Sequence, residues 1–197
     1  AEGDRVSVVI GEHRVERKLD IEILLNLDTF EFVRDTRVSL TVHDATERMK
    51  EGGMDGVELQ VYGHLLDQFW SPLTNDLDGP YGGKTLESRM KLLFDVVREI
   101  RKRVGSEFIV GLRYTADEVE KRGITLEQGL QISKRLDQSG FFDFLNVIRG
   151  RVHTDPAMTD VIPLQGMRSA PHLDFAGEVK KITTLPVFHA ARIPDVA

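Results

Sequence analysis

The sequence predicts an α/β fold whose strands are parallel and are connected by helices. From about Thr46 onward, short apolar runs alternate with longer segments in which apolar residues recur every three or four positions. The clearest of these segments runs from Leu86 to Val104, with Thr85 and Gly105 as its capping residues. Strands that alternate with helices pair in parallel through right-handed crossovers. This pattern fits either a doubly wound sheet or a (β/α)8 barrel.

Each element has a start or stop signal. The pair Gly52-Gly53 ends the first helix, Thr125 to Gln128 forms a capping-box pattern, and Gly140 ends the helix that this box begins. The expected helices are Ala45 to Gly52, Leu86 to Val104, Thr125 to Ser139 and Leu173 to Ile182. The expected strands are Met54 to Gln60, Phe108 to Tyr114, Asp143 to Ile148 and Leu185 to Ala190.

Residues 1–43 have a different pattern and are treated as a separate, unassigned β-rich segment. Strands are expected at Arg5 to Ile10, Leu19 to Leu27 and Thr36 to Val42. Turn-like sequences lie between them at Gly11 to His13 and Leu27 to Thr29. An antiparallel arrangement is the simplest one for such short, turn-linked strands.

Composition excludes several classes of protein. Of the 197 residues 41% are hydrophobic and 29% charged, as in a globular domain. A net charge of -6 argues against nucleic acid as a partner, and no apolar run reaches the roughly 18 residues of a membrane span. Without cysteine there is no disulfide or thiolate site, which suits the cytoplasm. The six histidines include no closely spaced pair, so no metal site is predicted.

The stretch from Asp55 to Arg89 carries the most specific pattern. It contains Ser71-Pro-Leu-Thr-Asn75, then Tyr81-Gly-Gly83, then Glu87-Ser-Arg89. This order resembles the Old Yellow Enzyme family of FMN-dependent oxidoreductases, and the resemblance extends over residues 44–197. It implies part of a (β/α)8 barrel, about strands four to seven, with FMN as the cofactor. The early β/α units and the last one are expected in a longer protein, unless the barrel has been rearranged.

The end of the fourth barrel strand departs from the family pattern. Most relatives carry a His-x-x-His or His-x-x-Asn pair there, followed by a tyrosine. Here Gln60 takes the first position, Tyr62 the second and His64 the place of the tyrosine. In this respect the sequence resembles one branch of the family, which comprises trimethylamine-dehydrogenase-like enzymes and dimethylglycine or N-methylproline demethylases. The resemblance implies oxidative N-demethylation of a methylated amine or betaine-derived amino acid, with hydride transfer to flavin N5.

The resemblance also implies roles for individual residues. Tyr62 and His64 would line the substrate face as catalytic groups, and Asp155 would orient the amine. Trp70 would contribute to an aromatic wall or else pack in the core, and His153 would be a second substrate contact. Cofactor binding would involve Gln60 and Arg113, with Ala191 and Arg192 at the phosphate. Asn75, Tyr81, Gly82, Gly83, Glu87 and Arg89 would be structural, with Glu87 and Arg89 tying the loop to the helix.

Three alternatives remain open at this point. The chain could be an NAD(P)H-dependent flavin ene-reductase, or an inert fragment or rearranged barrel of such an enzyme. A homo-oligomer or a partner segment would then complete the barrel. Related demethylases often continue into a segment with a 4Fe-4S cluster, which would lie in other parts of the protein.

Overall fold

The computed structural model of this chain describes residues 5–10, 13–18, 25–26, 31–32, 45–63 and 65–194. The strands are β1 (Arg5–Ile10), β2 (His13–Lys18), β3 (Leu25–Asn26), β4 (Glu31–Phe32), β5 (Gly56–Gln60), β6 (Ile109–Asp117), β7 (Phe144–Arg149) and β8 (Val187–His189). The helices are α1 (45–51), α2 (Leu65–Trp70), α3 (Leu86–Val104), α4 (Leu126–Ser139), α5 (Asp155–Val161) and α6 (Leu173–Ile182).

One parallel sheet with the order β5-β6-β7-β8 organises the larger part of the chain. Every second residue of β6 and β7 lies in the apolar core that these strands share with the helices, as Val110, Leu112, Leu145 and Val147 do. The strands follow one another in chain order. The helices share a single core with one face of the sheet. A doubly wound sheet has helices on both faces and a reversal of strand order. The sheet is therefore part of a (β/α)8 barrel, which confirms the predicted fold class.

Helix α3 has the bounds that the sequence predicts. Thr85 accepts a hydrogen bond from the N–H of Ser88, and the Ser88 hydroxyl accepts one from the N–H of Thr85, which closes a capping box. Gly105 ends the helix at a φ of 77°. The buried stripe includes Met90, Leu93, Val97, Ile100 and Val104, and each such side chain contributes about 1.5–3 kcal/mol when fully buried. No helix in the described part of the chain has the length and apolar character needed to cross a membrane.

Other boundaries differ from the prediction. Strand β6 continues to Asp117, three residues beyond the expected end, because Thr115 and Asp117 also pair with β7, with a register shift between them. Two short helices, α2 and α5, occupy stretches that were interpreted as loops. Helix α5 begins after Thr154, whose hydroxyl accepts from the N–H of Ala157, and it has a proline in its first turn.

The β-rich segment forms two antiparallel pairs, β1 with β2 and β3 with β4. His13 was expected in a turn but is the first residue of β2 and pairs with Ile10. Of the strand expected at Leu19 to Leu27, the structure describes only Leu25–Asn26. The expected strand Thr36 to Val42 and the turn at Leu27 to Thr29 lie outside the described residues.

Candidate active site

The first feature of the site is a row of side chains across the open face of the sheet. Gln60 on β5, Arg113 on β6 and Asn146 on β7 are in register. Two atoms of this row are buried without a hydrogen-bond partner in the described structure, Arg113 Nε and Asn146 Oδ1. Asn146 Nδ2 donates to Glu58 Oε2 over 2.8 Å, which fixes the direction of its amide. An unmet donor and an unmet acceptor therefore lie on adjacent strands, where a ligand with both functions would bind.

Tyr62 follows this row at the carboxyl end of β5. Its backbone N–H donates to the carbonyl oxygen of Arg113 over 3.3 Å, and the N–H of Val61 donates to the same oxygen over 2.9 Å. Burial and the negative charge of Asp67 raise the pKa of the Tyr62 phenol, whereas the charge of Arg113 lowers it. His64, the second predicted catalytic residue, lies outside the described residues.

Behind the Tyr62 turn lies a cluster of buried charged groups that the sequence analysis missed. Asp67 is 7% exposed and Glu118 is 2% exposed. Glu118 Oε2 accepts hydrogen bonds from the Ser71 hydroxyl and the N–H of Ile124, both over 2.7 Å. Arg151 Nε lies 3.6 Å from Glu118 Oε1. The pKa of Asp67 is raised to about 6, because burial and the nearby Glu118 charge raise it more than the hydrogen bond from the Gly63 N–H and the charge of Arg151 lower it.

Trp70 lies in the apolar core, with an exposed fraction of 2%. Its ring is tilted against that of Tyr114, with the ring centroids 5.6 Å apart. Of the two interpretations that the sequence left open for Trp70, this position favours packing over contact with a substrate.

The residues of the family motif hold the loop between α2 and α3. Asn75 Nδ2 donates to the carbonyl oxygens of Phe69 and Tyr81, both over 2.8 Å. Arg89 donates from Nε to the carbonyl oxygen of Trp70 over 2.9 Å and from Nη1 to that of Gly83 over 3.0 Å. Arg89 thus ties loop to helix, as expected.

Glu87 does not take part in this tie, contrary to expectation. It forms an ion pair with Arg135 of α4 instead. Its side chain lies on the exposed side of α3, so it links two helices across the surface.

Asp155 and His153 lie on the segment that follows β7. Asp155 is the first residue of α5 and is exposed. His153 Nε2 lies 3.9 Å from Glu120 Oε2, so this segment contacts the loop after β6. These two residues share the carboxyl end of the sheet with Tyr62, but their described contacts are not with it.

The turn after β8 holds the two residues predicted at the phosphate. Ala191 and Arg192 both have positive φ angles, 93° and 45°, which are uncommon for residues other than glycine. The Arg192 guanidinium donates to the carbonyl oxygen of Met167, and the Arg192 carbonyl accepts from the N–H of Ala170 over 2.8 Å. Hydrogen bonds of both the side chain and the backbone of Arg192 thus fix the turn against the segment before α6.

Two further histidines lie near this turn. His172 is buried, its Nε2 is 2.6 Å from the carbonyl oxygen of Asp160, and burial lowers its pKa. It makes no side-chain capping bond to α6, so it packs rather than caps. His189 ends β8 half-buried, with Nδ1 3.2 Å from the carbonyl oxygen of Ala190.

One signal could have indicated the missed cluster. In the run from Leu65 to Trp70, Asp67 is the single charged residue and Gln68 is polar, whereas the other residues are apolar or aromatic. A carboxylate in such a run needs a buried partner or a function. Glu118 has no comparable signal, because its partner Ser71 is 47 positions away.

The chain is similar in sequence to several known proteins. The NADH:flavin oxidoreductase / NADH oxidase family matches residues 37–145. A probable N-methylproline demethylase of Rhizobium meliloti (strain 1021) is 65% identical over 154 residues, which are 78% of this chain and 23% of that protein. A multifunctional alkene reductase/demethylase of Caballeronia cordobensis is 38% identical over 169 residues, 84% of this chain and 24% of that protein.

A solved structure supports the fold. The complex of 2-naphthoyl-CoA reductase with 2-naphthoyl-CoA superimposes with a TM-score of 0.72 at 21% identity, over 93% of this chain and 28% of that one. The chain thus spans about a quarter of the length of the curated relatives that it matches. The resemblance found in the sequence motifs is confirmed, and the chain belongs to the NADH:flavin oxidoreductase / NADH oxidase family.

Proposed function

We propose that this chain is the FMN-binding barrel region of an oxidoreductase that removes an N-methyl group from a methylated amine, such as an N-methyl amino acid. The observation that carries this proposal is the 65% identity to a probable N-methylproline demethylase over 154 residues. The replacement of the usual histidine pair by Gln60 and Tyr62 agrees with it. A reductase that polarises a substrate carbonyl needs such donors, whereas amine oxidation does not.

The residues of the open face fit FMN. Arg113 Nε is a buried donor and Asn146 Oδ1 a buried acceptor, both without partners in the described residues. The pyrimidine edge of a flavin carries acceptors and a donor, so it could meet both. The positive charge of Arg113 would also favour negative charge on the reduced ring. We place Gln60 in the same contact row, and Ala191 and Arg192 at the phosphate.

When bound, FMN would accept the hydride of the N-methyl C–H bond at N5 and so supply the oxidising step. The resulting iminium would take up water and separate into the amine without its methyl group, formaldehyde and a proton. Tyr62 is proposed to face the substrate and to offer its ring or its hydroxyl to the amine. We propose His64 as a proton-exchanging neighbour, and Asp155 and His153 as groups that orient the cationic amine.

Besides the four parallel strands described, four further strands are needed to close an eight-stranded barrel around this site. Among the described residues, β5 and β8 are the edge strands of this sheet, so a further strand can pair with either of them. We propose that another segment of a longer polypeptide, or a second copy, completes the barrel. Because this chain contains no cysteine, an accompanying 4Fe-4S cluster would be bound elsewhere.

The test is anaerobic titration of the FMN-loaded protein with a panel of N-methyl amino acids. A demethylase should lose its visible flavin absorbance with one of them and release formaldehyde in equal amount to the flavin reduced. Flavin that is reduced only by NAD(P)H, and reoxidised by an activated alkene, would instead identify an ene-reductase. A protein that retains no FMN would contradict both activities.

A further inference from the structure

The carboxylate of Asp67 holds the turn that carries the proposed catalytic residues. Its Oδ2 accepts a hydrogen bond from the backbone N–H of Gly63 over 3.1 Å. Gly63 joins Tyr62 to His64 in the sequence and has a φ of 70°, a left-handed conformation that favours glycine. A bond to this amide therefore fixes the chain direction at the point where the turn leaves β5.

The turn is held from two sides. On one side, the N–H of Tyr62 donates to the carbonyl oxygen of Arg113, within the sheet. On the other side, the Gly63 amide donates to the side chain of Asp67, in the first turn of α2. The first bond is between backbone groups and does not depend on pH. The second is charge-assisted and depends on whether Asp67 is ionised.

The surroundings make the charge of Asp67 costly. Its side chain is 7% exposed. The charge of Glu118 raises its pKa and that of Arg151 lowers it, while the charge of Asp67 itself raises the pKa of the Tyr62 phenol. Arg151 lies 3.6 Å from Glu118, so its charge is shared between two acids. Burial raises the pKa of Asp67 to about 6, close to neutral pH. An asparagine would avoid that cost, but its neutral amide oxygen would accept the Gly63 N–H more weakly than an ionised carboxylate does, so the carboxylate indicates a functional requirement for the charge.

We propose that Asp67 is a positioning residue for the amine oxidation: its ionised carboxylate, by binding the Gly63 amide, holds Tyr62 in place at the substrate, and its protonation releases Tyr62. The inference rests on the proposed function, because Tyr62 is the group that would contact the amine. Asp67 itself touches neither substrate nor cofactor. The hold is complete above the pKa of Asp67 and is lost as the pH falls through it.

The contact can be observed without flavin or substrate. In NMR spectra, labelling with carbonyl-13C tyrosine and 15N-glycine selects the amide signals of glycines that directly follow a tyrosine. In this chain these are Gly63 after Tyr62 and Gly82 after Tyr81. The amide proton of Gly63 should shift upfield as the pH falls, with a midpoint near 6. The Gly82 amide donates to the carbonyl oxygen of Gly79 over 3.0 Å and should not follow this titration, so it is an internal control.

Two variants decide whether Asp67 causes the shift. In Asp67→Asn the Gly63 titration should disappear, because the side chain no longer ionises. In Asp76→Asn, which removes an exposed carboxylate from the loop after α2, it should persist. A Gly63 signal that does not move in the unsubstituted protein, or that still titrates in Asp67→Asn, would overturn the inference.

A kinetic readout separates positioning from simple stabilisation. In the FMN-loaded unsubstituted protein, the rate of flavin reduction at saturating amine should decline below about pH 6. Asp67→Asn should slow this reduction by about tenfold or more and remove its decline at low pH. The affinity for FMN should stay unchanged. An unchanged rate and pH profile would overturn the inference. Failure of the proposed function is distinguishable: no N-methyl amine would reduce the flavin even in the unsubstituted protein, whatever the Gly63 signal does.

Discussion

The hydroxyl of Ser71 donates a hydrogen bond to Glu118 Oε2 over 2.7 Å, and both side chains are almost completely buried. This bond joins the loop after α2 to the loop after β6, at the carboxyl end of the sheet. Glu118 also accepts from the N–H of Ile124, so a single carboxylate fixes two loops. Because the carboxylate is desolvated, each donor that it loses leaves negative charge that water cannot reach.

Replacement of Ser71 by alanine should therefore lower the free energy of unfolding by about 2 kcal/mol, the usual value for a buried hydrogen bond to a charged group. Urea denaturation at neutral pH measures this change. Ser106→Ala is the matched control, because Ser106 also donates to a glutamate, Glu107, but at an exposed position. Equal effects of the two substitutions would contradict a structural role for the Ser71–Glu118 bond.

Two glycines within helices should respond in opposite directions to the same substitution. A Cβ on Gly129 of α4 would overlap the carbonyl oxygen of Ala116 on β6, whereas one on Gly177 of α6 would meet nothing within 4 Å. Gly129→Ala should destabilise the protein by about 2 kcal/mol through overpacking. Gly177→Ala should stabilise it by about 0.5–1 kcal/mol, because alanine restricts the unfolded chain and favours a helix.

Thermal and urea unfolding of the two variants, side by side, test this contrast. The close approach of α4 to β6 positions the polar loop that contains Glu118, so Gly129→Ala should also broaden the signals of that loop in NMR spectra. If both substitutions stabilised the protein, helix α4 would not lie against β6 as closely as the structure has it.

The elements that the sequence predicted best are those with local signals. The bounds of α3 and α6 were predicted to the residue, because the apolar stripe and the flanking residues of each lie within one continuous segment. Helices α2 and α5 were missed because six and seven residues are too few to establish a helical period. For α5 the sequence Thr154-Asp-Pro156, a capping residue with proline in the first turn, was an available signal.

The site divides in the same way. The family resemblance implied a cofactor role for Arg113, and the structure adds that its Nε is buried without a hydrogen-bond partner among the described residues. The partnership of Ser71 with Glu118, and the burial of Asp67 beside them, depend on the packing of loops that are far apart in the chain. A pattern in one segment carries no information on such contacts, so only the three-dimensional arrangement could reveal them.

Asp67 should make stability depend on pH in the direction opposite to most acidic residues. Its pKa is about 6 in the folded protein against 3.8 in the unfolded chain, so the folded state binds the proton more tightly. Stability from this group is then greatest below pH 3.8 and falls as the pH rises through about 6. Since one pKa unit is worth about 1.4 kcal/mol, the loss is about 3 kcal/mol.

The measurement is urea denaturation of the unsubstituted protein and of Asp67→Asn at a series of pH values. The free energy of unfolding of the variant, minus that of the unsubstituted protein, should increase by about 3 kcal/mol between acidic and neutral pH. Asp76→Asn, at an exposed position, provides the comparison. A difference that stays constant with pH would mean that Asp67 ionises equally well in both states.

Arg113 should be the residue on which FMN binding depends most within this chain. Its Nε is buried and without a partner in the described residues, so it pays a desolvation cost that a flavin edge would offset. Arg113→Ala should raise the dissociation constant of FMN about 10- to 100-fold, which corresponds to the loss of one charge-assisted hydrogen bond. It should also lower the reduction potential of the bound flavin, because the positive charge that stabilises the anionic reduced form is gone.

Arg98→Ala, which removes a guanidinium that pairs with Asp95 on the surface of α3, is the matched control and should change neither quantity. Fluorescence titration with FMN and a potentiometric titration measure the two effects, and equal affinities in the two variants would place the flavin away from the row formed by Gln60, Arg113 and Asn146.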